Sequence, residues 1–229
     1  MSQSTVTVTD VHREYQQGEF TVKALQGVSL SIEPGEFTVL MGSSGSGKTT
    51  LLNIIGGLDS PSTGSVEIDG QELSSMAAND LSDLRLHKFG FVFQAYNLIP
   101  VLSAFENTEF VPLMQGVGVE ERKTRSMEML KAVGLEGMEN RLPSELSGGQ
   151  QQRVAVARAL AGNPMLILAD EPTANLDSTT GKELIKLMRH LNEDKGVTFI
   201  FATHDPKVMD AAKRVIHLED GRIVEDERR

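Results

Sequence analysis

The chain has 229 residues with 22 Lys and Arg against 32 Asp and Glu, a net charge of −10 and no cysteine. That balance argues against a protein whose main ligand is a nucleic-acid backbone, because such binding rests on neutralising phosphates, though it leaves room for local basic patches; the missing cysteines exclude disulfides, thiol chemistry and Cys-ligated metals. The start Met1-Ser2-Gln3-Ser4-Thr5 lacks an apolar signal core, and no apolar run approaches the roughly 18 residues of a membrane span. The expectation is one large domain, soluble as made, whose membrane role would come through a partner.

Val6, Val8 and Val11 alternate with polar residues, as do Val28, Leu30 and Ile32 before the turn Glu33-Pro34-Gly35-Glu36, which predicts half-buried antiparallel strands. Tyr15 falls in the connection between them and has two readings, a packing tyrosine or an aromatic plate for adenine. The strand-like run Phe37 to Met41 then ends in Gly42-Ser43-Ser44-Gly45-Ser46-Gly47-Lys48-Thr49-Thr50, and Leu51, Leu52, Ile54 and Ile55 open a helix. The spacing fits G-x-x-x-x-G-K-S/T, whose glycines free backbone N–H groups to wrap a polyphosphate at a helix N-terminus. Lys48 would pair with the β/γ-phosphates and the Thr49 hydroxyl would ligate Mg²⁺.

The segment from Gly56 to Gly64 breaks the chain, Val66 to Ile68 is a short strand, and Asp69-Gly70 is its turn. Phe89 to Phe93 predicts a buried strand that delivers Gln94 at its C-terminal end, where ligands collect in open α/β sheets. Leu102 to Gly134 carries helical spacing punctuated by Pro100, Pro112, Gly116 and Gly118, which reads as a helical insertion whose Met and Phe residues belong to its core, a partner-docking surface being the second reading. Ser147 is placed to cap a helix from Gly148-Gly149-Gln150 to Ala161, closed by Gly162-Asn163-Pro164. The cap, the glycine amides and the positive helix end could form a second anion site, or simply a well-capped helix.

Met165 to Ala169 is an apolar strand ending in Asp170-Glu171, one carboxylate suited to Mg²⁺ and the next to the base that polarises water. After Asn175-Leu176-Asp177 comes a helix with Leu184, Leu187, Met188 and Leu191 on one face. Val197 to Thr203 is the next buried strand, and His204 at its tip could hold a γ-phosphate or lytic water; His12, His87, His190 and His217 show no chemical neighbours. Val215 to Leu218, Asp220-Gly221 and Arg222 to Val224 predict a terminal hairpin, with Glu225 to Arg229 as a frayed charged tail.

With these residues in order, the chain resembles the nucleotide-binding subunit of an ATP-binding-cassette transporter over nearly its whole length, Leu146-Ser147-Gly148-Gly149-Gln150 being the most specific match. The resemblance implies a P-loop NTPase with a RecA-like α/β core, an N-terminal antiparallel β subdomain and a helical signature subdomain. The domain would be single over 1–229, with a core over about 1–94 and 162–229 and the helical part over about 95–161. It implies that Tyr15 stacks on adenine, that Gly42 to Thr50 hold the phosphates, and that Thr49, Gln94 and Asp170 serve Mg²⁺. Glu171 would activate water, His204 would touch the γ-phosphate, and Asp177 would communicate across a dimer.

In such a dimer Ser147, Gly148, Gly149 and Gln150 of one copy cap the ATP held by Lys48 of a second copy. Other implied features are an integral membrane permease partner with a periplasmic domain, no nucleic-acid partner, and a cytoplasmic position on the inner membrane. The words Gly42 to Lys48, Leu52 to Pro61, Phe91 to Pro100 and Leu168 to Thr173 are similar to the branch serving lipoprotein release and macrolide export. The alternative is a non-transport ATPase of the same superfamily, in DNA repair or in a structural, division-associated complex. Against DNA repair stand the short interval between the phosphate motifs, the absent cysteines and the lack of sustained heptads.

Overall fold

The computed structural model describes residues 4–18 and 20–229. A six-stranded sheet forms from β3 (Phe37–Met41), β6 (Phe89–Val92), β7 (Leu166–Asp170), β8 (Thr198–Thr203), β9 (Arg214–Glu219) and β10 (Arg222–Arg228), in the order β10-β9-β3-β8-β7-β6. Only β10 runs antiparallel to its neighbour; β9, β3, β8, β7 and β6 pair in parallel. Parallel strands covered on both faces should be buried and mainly apolar, and β3, β7 and β8 are buried along nearly their whole length, with Thr38, Thr198 and Thr203 among the apolar residues.

Alternation along these strands divides the interior in two. Val39, Ile167, Phe199 and Phe201 face a core shared with α5 (Gly148–Ala161) and α6 (Ser178–Lys195). Leu40, Leu166, Leu168 and Ile200 face a core shared with α1 (Lys48–Ile55) and a second sheet. That sheet, in the order β2-β1-β4-β5, contains β1 (Val6–Gln17), β2 (Phe20–Ile32), β4 (Thr63–Ile68) and β5 (Gln71–Glu72). All parallel strands of the large sheet therefore point their C-terminal ends at one edge, where α1 begins.

α2 (Ala78–Lys88) leads into β6, and the insertion holds α3 (Ala104–Met114) and α4 (Val119–Ala132) packed with α5. Met129, Leu130 and Val133 are buried there as expected, and so is Leu135 just beyond. Phe110, Met114 and Met127 are not core residues, being 37%, 54% and 40% exposed. Periodicity marks an apolar face without saying what covers it. Pro112 lies inside α3 rather than breaking it, in the last turn, where its missing N–H removes a single main-chain bond.

Three further expectations are corrected. Tyr15 lies within β1, opposite Val22, because the hairpin runs out to residues 17 and 20 through several bulges. His12 Nε2 lies 3.3 Å from Asp10 Oδ1 and His87 Nδ1 lies 2.9 Å from the Asp83 carbonyl, so both have neighbours. The charged tail is strand, not frayed chain. Arg214, 6% exposed, needs its charge met inside the fold. Its Nε and Nη2 donate to Asp226 at 2.8 and 2.7 Å, and its Nη1 donates to the Ser31 carbonyl and to Glu36 at 2.6 and 3.1 Å.

Hydrogen bonds from Arg214 hold the Asp226 carboxyl below its ordinary pKa. A depressed folded value means that this contribution is full above the ordinary carboxylate range and is lost as pH falls through the folded value. Asp226→Asn should lower the unfolding free energy by about 1 kcal/mol at neutral pH, less than a fully buried charge-assisted bond because solvent reaches and screens the carboxylate. Chemical denaturation should find that difference shrinking as the solution is acidified through that range.

Candidate functional site

At the C-terminal edge of the sheet, β3 ends and the chain makes a loop before α1. Gly45 and Gly47 take φ of 83° and 103°, the left-handed region open to glycine. A Cβ on Gly47 would also lie 2.6 Å from the Ala24 carbonyl oxygen, and one on Gly42 would lie 2.3 Å from that of Leu218. The loop is thus wedged against β2 and β9 by backbone. Ser46 Oγ is buried without a hydrogen-bond partner.

Lys48 opens α1 and is only 6% exposed. Its ammonium donates to the carbonyls of Gly42 and Ser43, both at 2.8 Å. Burial lowers its pKa against the opposing pull of Glu171 and Asp170. The loop holds a desolvated cation with no carboxylate bonded to it, which is the electrostatic state that an arriving phosphate relieves.

The adjacent strand tip brings acids to this cation. Asp170 accepts from the Thr49 hydroxyl at 3.1 Å, and burial raises its pKa despite that bond. Glu171 follows at φ 44°, a conformation costing a non-glycine residue about 1–3 kcal/mol and unusual for a glutamate. Its two oxygens meet the Thr203 hydroxyl at 2.8 Å and His204 Nδ1 at 2.6 Å. Glu171 is 17% exposed and His204 68% exposed, so the imidazole stands at the mouth and the carboxylate inside.

Ser44, Gly45, Gly47, Lys48, Thr49, Thr50, Gln94, Asp170, Glu171 and His204 line one cavity of about 420 Å³. Gly42, Ser43 and Ser46 belong to the same loop but do not line the cavity. Tyr15, Ser147, Gly148, Gly149, Gln150 and Asp177 do not line it. Ser147 caps α5, its Oγ accepting from Gln150 N at 3.3 Å while Gln150 Oε1 accepts from Ser147 N at 2.9 Å. Around this helix tip, a Cβ on Gly148 would lie 2.8 Å from Tyr96 Oη and one on Gly149 2.4 Å from Thr180 Cγ2. Asp177 caps α6 through Thr179 and Thr180, whose bonds hold its pKa down.

Sequence reasoning missed several residues. Val22, Lys23 and Ala24 of β2 line the cavity, with no local pattern to mark them. Thr203 could have been suspected from its place before His204. Gln152, fully buried on α5, donates to the carbonyls of Pro172 at 2.9 Å and Phe93 at 3.3 Å. Asn175 Nδ2 donates to the Gln94 carbonyl at 2.9 Å. Together they tie the capped helix to both the Gln94 segment and the loop after Glu171.

Comparison with known proteins decides what this arrangement belongs to. The ABC transporter family model matches residues 25–174, well over half of the chain. The chain belongs to the ABC transporter ATP-binding family. An uncharacterized ABC transporter ATP-binding protein of Thermotoga maritima is 49% identical over 222 residues, 97% of this cassette and 94% of its own length. The macrolide export ATP-binding/permease protein MacB of Mannheimia succiniciproducens is 46% identical over 221 residues, 96% of this cassette, which spans only 34% of that protein.

The dimeric post-hydrolysis structure of the ATP-binding cassette MJ0796 bound to ADP and Pi superposes with a TM-score of 0.90 at 47% identity, covering 97% of this chain and 98% of that one. The fold is that of a P-loop ATP-binding cassette, and the protein is an ATP-binding ATPase. MacB, among the relatives, matches the macrolide-export branch that the sequence resembles.

Because Gly47 meets both a steric and a conformational limit, Gly47→Ala should weaken ATP binding at least tenfold, beyond the roughly 1 kcal/mol of an ordinary Gly/Ala exchange. Calorimetric titration of ATP into the variant would measure it.

Proposed function

We propose that this cassette works as one of two head-to-tail copies that close around two Mg-ATP and drive a separate membrane permease of the macrolide-export or lipoprotein-release type. The observation that carries the reading is the pair of distinct anion-directed ends: the desolvated Lys48 loop, and the Ser147-capped helix that does not reach the same cavity. One chain's phosphate loop then needs another chain's helix tip. The dimeric ADP- and Pi-bound structure of MJ0796 supports the pairing, as a fact about that relative.

The residues fit a magnesium nucleotide. Thr49, Gln94 and Asp170 offer oxygen donors, the hard set that Mg²⁺ takes, and one carboxylate suffices where substrate phosphates complete the shell. Bound Mg²⁺ would supply neutralisation of charge developing on the phosphates. In the proposed cycle Lys48 pairs with the β/γ-phosphates, and its ammonium exchanges two carbonyl partners for charged oxygens. Glu171 takes the proton of the attacking water, with Thr203 holding its other oxygen. His204, exposed at the mouth, turns toward the γ-phosphate. Tyr15 presents its ring to adenine, from a register position opposite cavity-lining Val22. Closure follows when ATP supplies negative charge between two positive helix ends, and loss of phosphate reverses it.

A permease partner has a fitting surface. A groove of about 380 Å³ beside the Gln94 segment is lined by Leu58, Phe89, Phe91, Phe93 and Phe110, with Arg158 among them. Arg158 donates to the carbonyls of Asn97 and Tyr96 at 2.5 and 2.9 Å, so a partner seated there would press on the chain that leads to Gln94. No described helix is long and apolar enough to cross a membrane, and MacB carries ATP-binding and permease parts under one name. We therefore place the cassette at the cytoplasmic face, attached through the permease. The DNA-repair alternative has no supporting observation in the fold.

Glu171→Gln should bind ATP as tightly as the parent while steady-state turnover falls by at least about a hundredfold, the usual worth of general base catalysis. A variant hydrolysing at the parental rate would remove Glu171 from that role. Phe110→Glu, in the groove, should leave ATP affinity unchanged yet abolish stimulation of turnover by the permease. Stimulation at the parental level would refute docking there.

A further inference from the structure

The adenine plate is held by a frame that reaches back to the phosphate helix. Tyr15 sits in a hairpin projecting far beyond the sheet, with Phe20 near its end 78% exposed. Such a ring would be loosely held by packing alone. Instead its hydroxyl donates to Asp59 Oδ2 at 2.6 Å, and the Arg13 guanidinium lies over one face of the ring, 4.5 Å from its centroid. Arg13 Nη2 in turn donates to Asp59 Oδ1 at 2.7 Å, the two side chains being only 23% and 24% exposed.

Asp59 is itself fixed just beyond the C-terminal end of α1. Its backbone N–H and that of Leu58 donate to the Asn53 carbonyl of the helix, at 3.2 and 2.8 Å, and its Oδ1 also accepts from Ser60 N at 2.8 Å. α1 is the helix that begins with Lys48 and Thr49. The same rigid element thus carries the phosphate ligands at one end and the anchor of the ring at the other. Arg13 covers one face of the ring, and Val22, opposite Tyr15 in the ladder, lines the cavity, so the face away from Arg13 is the one a base would take.

We infer that Asp59 and Arg13 are positioning residues for nucleotide recognition: they fix Tyr15 at a set distance from the Lys48 loop, so that the loop and ring together measure adenine against triphosphate. The inference rests on the reading of Tyr15 as the adenine plate. Its physical content is preorganisation, since a ring already immobile gives up no rotamer freedom when a base stacks on it. Neither anchor residue lines the cavity.

The test is calorimetric titration of the full chain, in Mg²⁺, with ATP and with inorganic tripolyphosphate. Tyr15→Phe keeps the ring and removes only the hydroxyl; Asp59→Ala removes the anchor. Each should weaken ATP about fivefold, within the range stacking on an aromatic supplies, with tripolyphosphate affinity unchanged. Adding Tyr15→Phe to Asp59→Ala should bring no further loss, because Asp59→Ala already removes the bond that Tyr15→Phe breaks.

Three results separate the failures. If Tyr15→Phe binds ATP like the parent while Tyr15→Ala binds it weakly, the anchoring role is overturned and the plate reading stands. If Tyr15→Ala also binds like the parent, the plate reading falls and takes the anchor with it. If tripolyphosphate weakens in step with ATP, Asp59 serves only the stability of the loop, and the inference is overturned.

Discussion

A buried ammonium with no anion bonded to it is the constraint from which the rest of this structure follows. Lys48 is held in a loop of backbone, hydrogen-bonded to two carbonyls and drawn by the nearby Glu171 and Asp170 carboxylates, while burial works against its protonation. Such a group is uncomfortable without an anion and favourable with one. The strained turn at Glu171, the raised pKa of Asp170 and the wedged glycines around the loop all sit within the same cavity edge. These three departures from ordinary folding rules lie together where a polyphosphate would compensate them.

Around that edge the cassette is built to report what occupies it. Gln152 joins the capped helix to the loop after Glu171 and to Phe93, and Asn175 joins that loop to Gln94. Arg158 then holds Tyr96 and Asn97, two consecutive non-glycine residues at positive φ, against α5. The chain from the cavity to the groove beneath Phe110 is therefore continuous hydrogen-bonded structure, and a motion at either end has a material route to the other. Continuity of this sort permits coupling, and the proposed cycle supplies the two states that coupling requires.

Most of the site could be read in the sequence because its parts are local. The phosphate loop is a run of adjacent residues whose glycines fix the backbone; the caps at Ser147 and Asp177 act within three residues; strand tips announce Asp170, Glu171 and His204 by where apolar runs stop. What stayed hidden was long-range or two-sided. The frayed-tail expectation failed because Asp226 is ordered by Arg214, twelve residues away, and a charged stretch does not show its partner. The exposed Phe110 and Met114 were read as core because periodicity marks an apolar face and not its cover. Val22 to Ala24 entered the cavity through the register of a long hairpin, which no local signal sets.

The central claim is that two copies share two nucleotides, and solution mass tests it most directly. Light scattering on the Glu171→Gln chain should give the 24.9 kDa monomer without nucleotide and twice that mass with saturating Mg-ATP, one ATP bound per chain. A mass that stays at the monomer value at high protein concentration, with ATP bound and the permease present, would contradict the account.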